Sequence, residues 1–228
     1  MKPLIIALDV ETDKEAMSLL KATRRHCDVY KVGPGHILRY GPQIIKKIRA
    51  AGKKVFLDLK FHDIPSTMAR SIKEAGKLGV YSATVHTSGG ETALREVAQV
   101  KGRPQVWGVT VLTSLSGSDL DQIGFERDPM DQAIRLAEIA KRSAIDGIVA
   151  SVGETATLRK IVGKDFVIIT PGIRLPDNAV GDQKRVATPA HARAAGSSFM
   201  VVGRPILEAR DPESVAAAIL QDWKKGQA

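Results

Sequence analysis

Short runs of β-branched and other apolar residues recur along the chain. Each is followed by a stretch in which apolar residues return every three or four positions. The runs cover residues 4–8, 29–32, 54–59, 81–85, 105–111, 147–150, 166–170 and 199–202. Most are continuous rather than alternating in hydrophobicity, as parallel strands covered on both faces should be. The stretches between them read as amphipathic helices. Ala16, Leu19 and Leu20 make the apolar stripe of one that opens at Asp13; Ile37, Ile44, Ile45 and Ile48 make the stripe of the next, which ends at Gly52. Pro65 marks the start of a helix within 64–78, closed by Gly79, and further helices are predicted over 91–100, 129–143, 154–162, 189–195 and 212–224.

Eight such units in 228 residues predict an α/β fold, a closed (β/α)8 TIM barrel forming a single domain over 1–228. Barrels of this kind run to about 250 residues without splitting. An open doubly wound sheet is the alternative, but no Gly-x-Gly-x-x-Gly follows the first run. In barrels the chemistry sits at the C-terminal ends of the strands. The polar residues there are Asp9, Lys31, Asp58, Lys60, His86, Thr113 to Ser116, Ser151, Thr170 and Arg204.

Composition narrows the function. Hydrophobic residues make up 43% of the chain, enough for a sizeable core, and no low-complexity tract interrupts it. The net charge of +9 comes from 34 basic and 25 acidic residues that are interspersed, and aromatics are only 4%. A dispersed excess fits a soluble enzyme with an anionic small substrate and speaks against nucleic acid. No apolar stretch approaches the roughly 18 residues of a membrane span. The first ten residues contain Asp9 and read as a strand rather than a signal peptide. Cys27 is the lone cysteine, so no intramolecular disulfide forms. It reads as a packing residue in a reducing, cytoplasmic setting.

The sharpest local feature is the segment Asp58-Leu59-Lys60-Phe61-His62-Asp63-Ile64-Pro65. Residues two apart on a strand face the same side, so Asp58 and Lys60 point together into the barrel mouth. Lys31 ends the neighbouring strand, and Asp63 follows just past the strand end. These four predict an alternating chain of two lysines and two aspartates, in which each carboxylate favours the ammonium form beside it. A structural salt-bridge cluster is the bland alternative, but four charges at one barrel end usually mark a site. The ends of strands seven and eight carry Pro171-Gly172 and Gly203-Arg204, where barrels often hold phosphate with backbone N–H groups and an arginine fork. The connection 173–188 is long for a compact barrel and therefore functional. Arg174 within it reads either as a substrate contact or as a solvated loop charge. His36, His62 and Trp107 read as structural, and His86 as either packed or in contact with substrate.

From Phe56-Leu57 through Pro65 the chain resembles the bacterial orotidine 5'-monophosphate decarboxylases. The resemblance extends to Leu8-Asp9, Lys31-Val32-Gly33, Val85-His86, Val111-Leu112-Thr113-Ser114, Thr170-Pro171-Gly172-Ile173-Arg174, Gly181-Asp182-Gln183 and Val202-Gly203-Arg204-Pro205. It implies decarboxylation of orotidine 5'-monophosphate with no metal and no cofactor. Lys60 would protonate C6 of the pyrimidine. Asp58 and Asp63 would flank the departing carboxylate, Lys31 would complete the network and contact the ribose, and Asp9 would bind a ribose hydroxyl. The resemblance also implies a lid over 173–188 whose Gln183 bridges phosphate and base. A strand-five hydroxyl, taken as Ser116 over Ser114 or Thr113, would read the pyrimidine. It further implies a homodimer in which Asp63, Ile64 and Thr67 cross a two-fold interface, each site using its partner's Asp63.

The nearest rival is the magnesium-dependent 3-keto-gulonate 6-phosphate decarboxylase family, which shares Asp-x-Lys-x-x-Asp. An acidic residue on strand two would help hold magnesium there, whereas this chain has Lys31. A non-enzymatic nucleotide-binding barrel is a second rival, opposed by the intact set of four charges.

Overall fold

A computed structural model describes residues 1–125, 128–175 and 187–226. Parallel strands pair in chain order and close on themselves: β1 (Leu4–Ala7), β2 (Val29–Val32), β3 (Lys54–Phe61), β4 (Ser82–His86), β5 (Gln105–Val109), β6 (Gly147–Val149), β7 (Val167–Thr170) and β8 (Phe199–Val202). Closure is made by β8 lying beside β1, with Leu4 opposite Met200 and Ile6 opposite Val202. The pairing is that of a (β/α)8 barrel and excludes the open doubly wound sheet.

Two apolar layers explain the continuous hydrophobic runs. Ile5, Ala7, Val29, Phe56, Trp107, Ile169 and Val201 fill the barrel interior. The alternate residues Leu4, Ile6, Tyr30, Val55 and Leu57 face outward and pack with helix residues such as Ile44, Ile48, Met68 and Ile72. Trp107 is fully buried and meets Phe56 edge-on at 4.6 Å, which confirms its structural reading. Cys27 is also fully buried, and burial pushes its thiol up to about 12, so it is a packing group rather than a nucleophile.

The helices begin where local chemistry favours it. α1 (Asp13–Thr23) is opened by a capping box between Thr12 and Glu15. Proline stands in the first turn of α4 (Pro65–Lys77), α7 (Pro129–Arg142), α9 (Pro189–Ala194) and α11 (Pro212–Lys225). The stripe from Ile37 to Ile48 is not one helix. It is divided into α2 (Pro34–Tyr40) and α3 (Gln43–Ala50), because Gly41 takes φ 58° and Pro42 follows. α5 (Gly90–Ala98) and α8 (Val152–Val162) lie as predicted. The short α6 (Gly117–Gln122) and α10 (Arg204–Leu207) were not anticipated, since one or two turns show no periodicity. Among the described residues, no helix is long and apolar enough to cross a membrane.

At the barrel floor Arg159 gathers the ends of α8, β7 and β8. Its guanidinium donates to the carbonyls of Gly163 and Phe166, both at 2.6 Å, and of Gly196 at 2.7 Å, and to Ser198 Oγ at 3.1 Å.

Candidate active site at the C-terminal mouth

The mouth carries a line of alternating charge. Lys31 Nζ, from β2, lies 2.9 Å from Asp9 Oδ1 and 3.7 Å from Asp58 Oδ2. Lys60 Nζ lies 2.9 Å from the same Asp58 oxygen. Asp58 is buried, its side chain 12% exposed, whereas Lys60 is 36% exposed and borders the open mouth. The order is therefore Asp9, Lys31, Asp58, Lys60. The chain of two lysines and two aspartates exists, but within this chain its second aspartate is Asp9 and not Asp63. Asp63 is exposed and turned back on its own backbone, accepting the Ile64 N–H at 2.7 Å. It lies beyond the strand end, where the chain is already entering α4.

Asp58 and Lys60 meet by a route that strand parity alone does not provide. The ladder between β3 and β4 runs regularly to Leu57 opposite Ala83 and resumes at Phe61 opposite Val85. β3 thus carries two extra residues across this step, a bulge that re-aims side chains. Lys60 sits in it at φ 50°, a left-handed conformation unusual for a residue with a Cβ. Strain of this kind costs on the order of 1–3 kcal/mol and concentrates at functional sites.

Among the described residues, three neighbouring cavities border the cluster, and Lys31 lines all of them. The first, of about 180 Å³, is lined by Asp58, Lys60 and the apolar residues Val109, Val111, Pro171 and Val201, with Thr113 at its edge. The second, of about 430 Å³, is lined by Asp9, Pro171, Gly172, Arg174, Gly203 and Arg204. The third, of about 390 Å³, lies between the ends of β1 and β2, lined by Glu11, Gly33, His36, Arg39 and Tyr40. An apolar slot beside a lysine and an arginine–glycine pocket therefore share one wall.

The remaining predicted residues divide. Gly203 and Arg204 follow β8, and Pro171 separates the first cavity from the second, as expected of loops after strands seven and eight. Arg174 is only 6% exposed, which overturns the reading of a solvated loop charge. Ser116 lines none of these cavities. It caps α6, with its Oγ 2.5 Å from Asp119 Oδ2 and 2.9 Å from Ser118 Oγ, so its hydroxyl is spent on the helix start. Thr113, left open as an alternative, is the strand-five hydroxyl at the first cavity. Thr67 lies on α4 and lines none of the three cavities. Gln183 falls outside the described residues, as do Gly181 and Asp182.

Two residues of β4 complete the site. Thr84, which sequence reasoning missed, is fully buried and donates to Asp58 Oδ1 at 2.9 Å. Its signal was the alternation Ser82, Thr84, His86, which puts polar groups on the inward face of a buried strand. His86 packs against His62 with ring centroids 5.3 Å apart. Burial first, then the neighbouring His62 and Lys60, hold its pKa below the ordinary histidine value, with Asp58 opposing.

Comparison with known proteins places the chain in a family. Residues 2–219 match the model of the orotidine 5'-phosphate decarboxylase / HUMPS family. The chain is 44% identical over 223 residues to an orotidine 5'-phosphate decarboxylase of Photobacterium profundum, covering 96% of each chain. It is 43% identical to that of Vibrio campbellii, covering 95% of each. Among solved structures, the orotidine 5'-phosphate decarboxylase of Lactobacillus acidophilus superposes with a TM-score of 0.86 at 35% identity, covering 98% of this chain and 99% of that one. On the length and identity of these matches, the chain belongs to the orotidine 5'-phosphate decarboxylase / HUMPS family.

Proposed function

We propose that the chain, acting as one barrel domain over 1–228, converts orotidine 5'-monophosphate to uridine 5'-monophosphate and carbon dioxide in pyrimidine biosynthesis. No metal or cofactor takes part. The observation that carries this reading is the Lys60 ammonium, held 2.9 Å from Asp58 at the wall of an apolar cavity that opens onto Arg204. The pyrimidine occupies the apolar cavity with Thr113 at its edge. The ribose lies along Asp9 and Lys31. The phosphate lies at Gly172, Gly203 and Arg204, in the cavity that Arg174 also lines.

The chemistry follows from the charges. The bond between C6 and the carboxylate breaks, carbon dioxide leaves, and the electron pair stays on C6 in the ring plane, where the π system cannot spread it. A fixed ammonium beside that carbon stabilises the pair and then supplies the proton; water afterwards reprotonates the lysine. Asp58 holds Lys60 in place and flanks the departing carboxylate. Lys31 and Lys60 bring positive charge to the position where a magnesium ion would need oxygen ligands, which speaks against the 3-keto-gulonate 6-phosphate reaction.

The active unit in this proposal is a cytoplasmic homodimer, in which each site takes Asp63 from the other copy. The outward turn of Asp63 and the exposed apolar Ile64 beside it support an exchange of this kind. The test is loss of orotidine 5'-monophosphate absorbance on adding purified protein, with and without a chelator. Equal turnover in both supports the proposal. No turnover, or turnover that needs magnesium, overturns it.

A further inference from the structure

We propose that Thr84 is a positioning residue for the decarboxylation, fixing Asp58 and the backbone of Lys60 through one hydroxyl group. The inference rests on the decarboxylase reading above and assigns a role within it.

The Thr84 hydroxyl has two partners, both in the charged cluster. Its Oγ accepts the Lys60 backbone N–H at 2.9 Å and lies 2.9 Å from Asp58 Oδ1. A backbone N–H can only donate, so the single Thr84 proton is directed to the carboxylate. The other Asp58 oxygen takes the Lys60 ammonium. A closed ring results: Thr84 to Asp58, Asp58 to the Lys60 side chain, and the Lys60 backbone to Thr84.

This ring explains how the bulge on β3 is held. Between Leu57 and Phe61 the ladder to β4 is interrupted, and the Lys60 N–H finds Thr84 Oγ in place of a β4 carbonyl. Lys60 is left-handed there, at φ 50°. Thr84 is itself fully buried, with Trp107 beside it in register on β5. Its hydroxyl therefore transmits the rigidity of the barrel wall to the strained residue that carries the ammonium. Lys31 reaches the ring at Asp58 Oδ2, 3.7 Å away, but the other groups assigned to ribose and phosphate, Asp9, Gly172, Gly203 and Arg204, follow β1, β7 and β8 and have no bond to Thr84. Loss of the hydroxyl should loosen the ammonium against C6 while leaving those contacts in place.

The test compares Thr84→Val and Thr84→Ser with wild type on orotidine 5'-monophosphate, with binding-competent sites counted by calorimetric titration with uridine 5'-monophosphate. A misplacement of about 1 Å can cost about 10²-fold in rate, so Thr84→Val should lower kcat per site by roughly 10–100-fold with KM little changed. Thr84→Ser keeps the same donor and acceptor and should retain most of the activity, within about threefold. If Thr84→Val does not fold, Thr84→Ala carries the same comparison. A kcat per site that is unchanged, a loss confined to KM, or a serine variant as impaired as the valine one overturns the role. Failure of Thr84→Val to differ while wild type turns over sinks this inference alone; absence of turnover in wild type removes the decarboxylase reading and this inference with it.

Discussion

Lys60 holds its ammonium 2.9 Å from Asp58 Oδ2 from a backbone at φ 50°, so the pair is set by a bulge as much as by strand alternation. In the proposed reaction this one group both stabilises the C6 charge and delivers the proton. General acid catalysis alone contributes roughly 10²–10⁴-fold, so Lys60→Ala should lower kcat by more than that while circular dichroism stays native. A folded variant that keeps more than about a tenth of wild-type kcat contradicts the assignment.

Arg204 lines the cavity assigned to phosphate, about 430 Å³ in size and shared with Gly172 and Gly203. Arg204→Ala should cut kcat/KM strongly for the nucleotide and hardly at all for orotidine lacking the phosphate. Truncating the substrate and mutating the arginine then remove the same interaction, and their effects should not add. Equal proportional losses on the two substrates would place Arg204 elsewhere.

Asp63 and Lys60 stand three positions apart, yet the Asp63 carboxylate is bound to the Ile64 N–H and not to the lysine. If Asp63 completes the site of a second copy, unfolding and refolding an equal mixture of Lys60→Ala and Asp63→Asn chains should restore activity. Each mixed dimer contains one doubly defective site and one intact site, and random pairing makes half the dimers mixed, so about a quarter of wild-type activity returns. Mixed dimers that form and remain inactive would show that Asp63 works within its own chain.

His86 is held below the ordinary histidine value by burial, by His62 and by Lys60. The unfolded chain then binds a proton at a higher pH than the folded one. Stability contributed by neutral His86 is present above the unfolded value and declines as pH falls from there toward the lowered folded value. Melting curves from neutral to mildly acidic pH should show a drop in Tm that His86→Gln reduces. An identical pH dependence in both proteins would dissociate His86 from the effect.

Arg159 satisfies the carbonyls of Gly163, Phe166 and Gly196 at the barrel floor, far from the mouth. Arg159→Met keeps the stem and strands these acceptors. Charged hydrogen bonds contribute about 1.5–3 kcal/mol each but only in part independently, so a loss of about 2–4 kcal/mol is expected in denaturant unfolding. The kcat of the folded enzyme should not change. A variant as stable as wild type would mean that water replaces the guanidinium without cost.

The strands and most helices were legible in the sequence because each signal is local. A continuous apolar run with two buried faces declares a parallel strand, and Pro or a capping residue declares a helix start within one turn. Strand parity put Asp58 and Lys60 on the barrel side, and the end of the second run placed Lys31 beside them. The glycines and arginine at the ends of the last strands, proposed to hold phosphate, could be read in the same way and share one cavity.

What the tertiary structure decided was which of these groups meet. Within one chain Asp9 rather than Asp63 joins the cluster, through a contact across 22 positions, and Thr84 joins it across 26. Nothing within a few residues of Asp9 or Thr84 encodes those distances; they follow from barrel closure and from the register of neighbouring strands. At the left-handed turn of Lys60 the backbone N–H meets Thr84 Oγ of β4, in a stretch where the ladder between the strands is interrupted. Ser116 and Thr113 are both hydroxyls in one loop, and the folding of a two-turn helix commits the first to a cap and leaves the second at the cavity. Local propensity sets the type of each element over a few residues, whereas the site depends on which side chains the closed sheet brings within about 3 Å of one another, as hydrogen bonding requires.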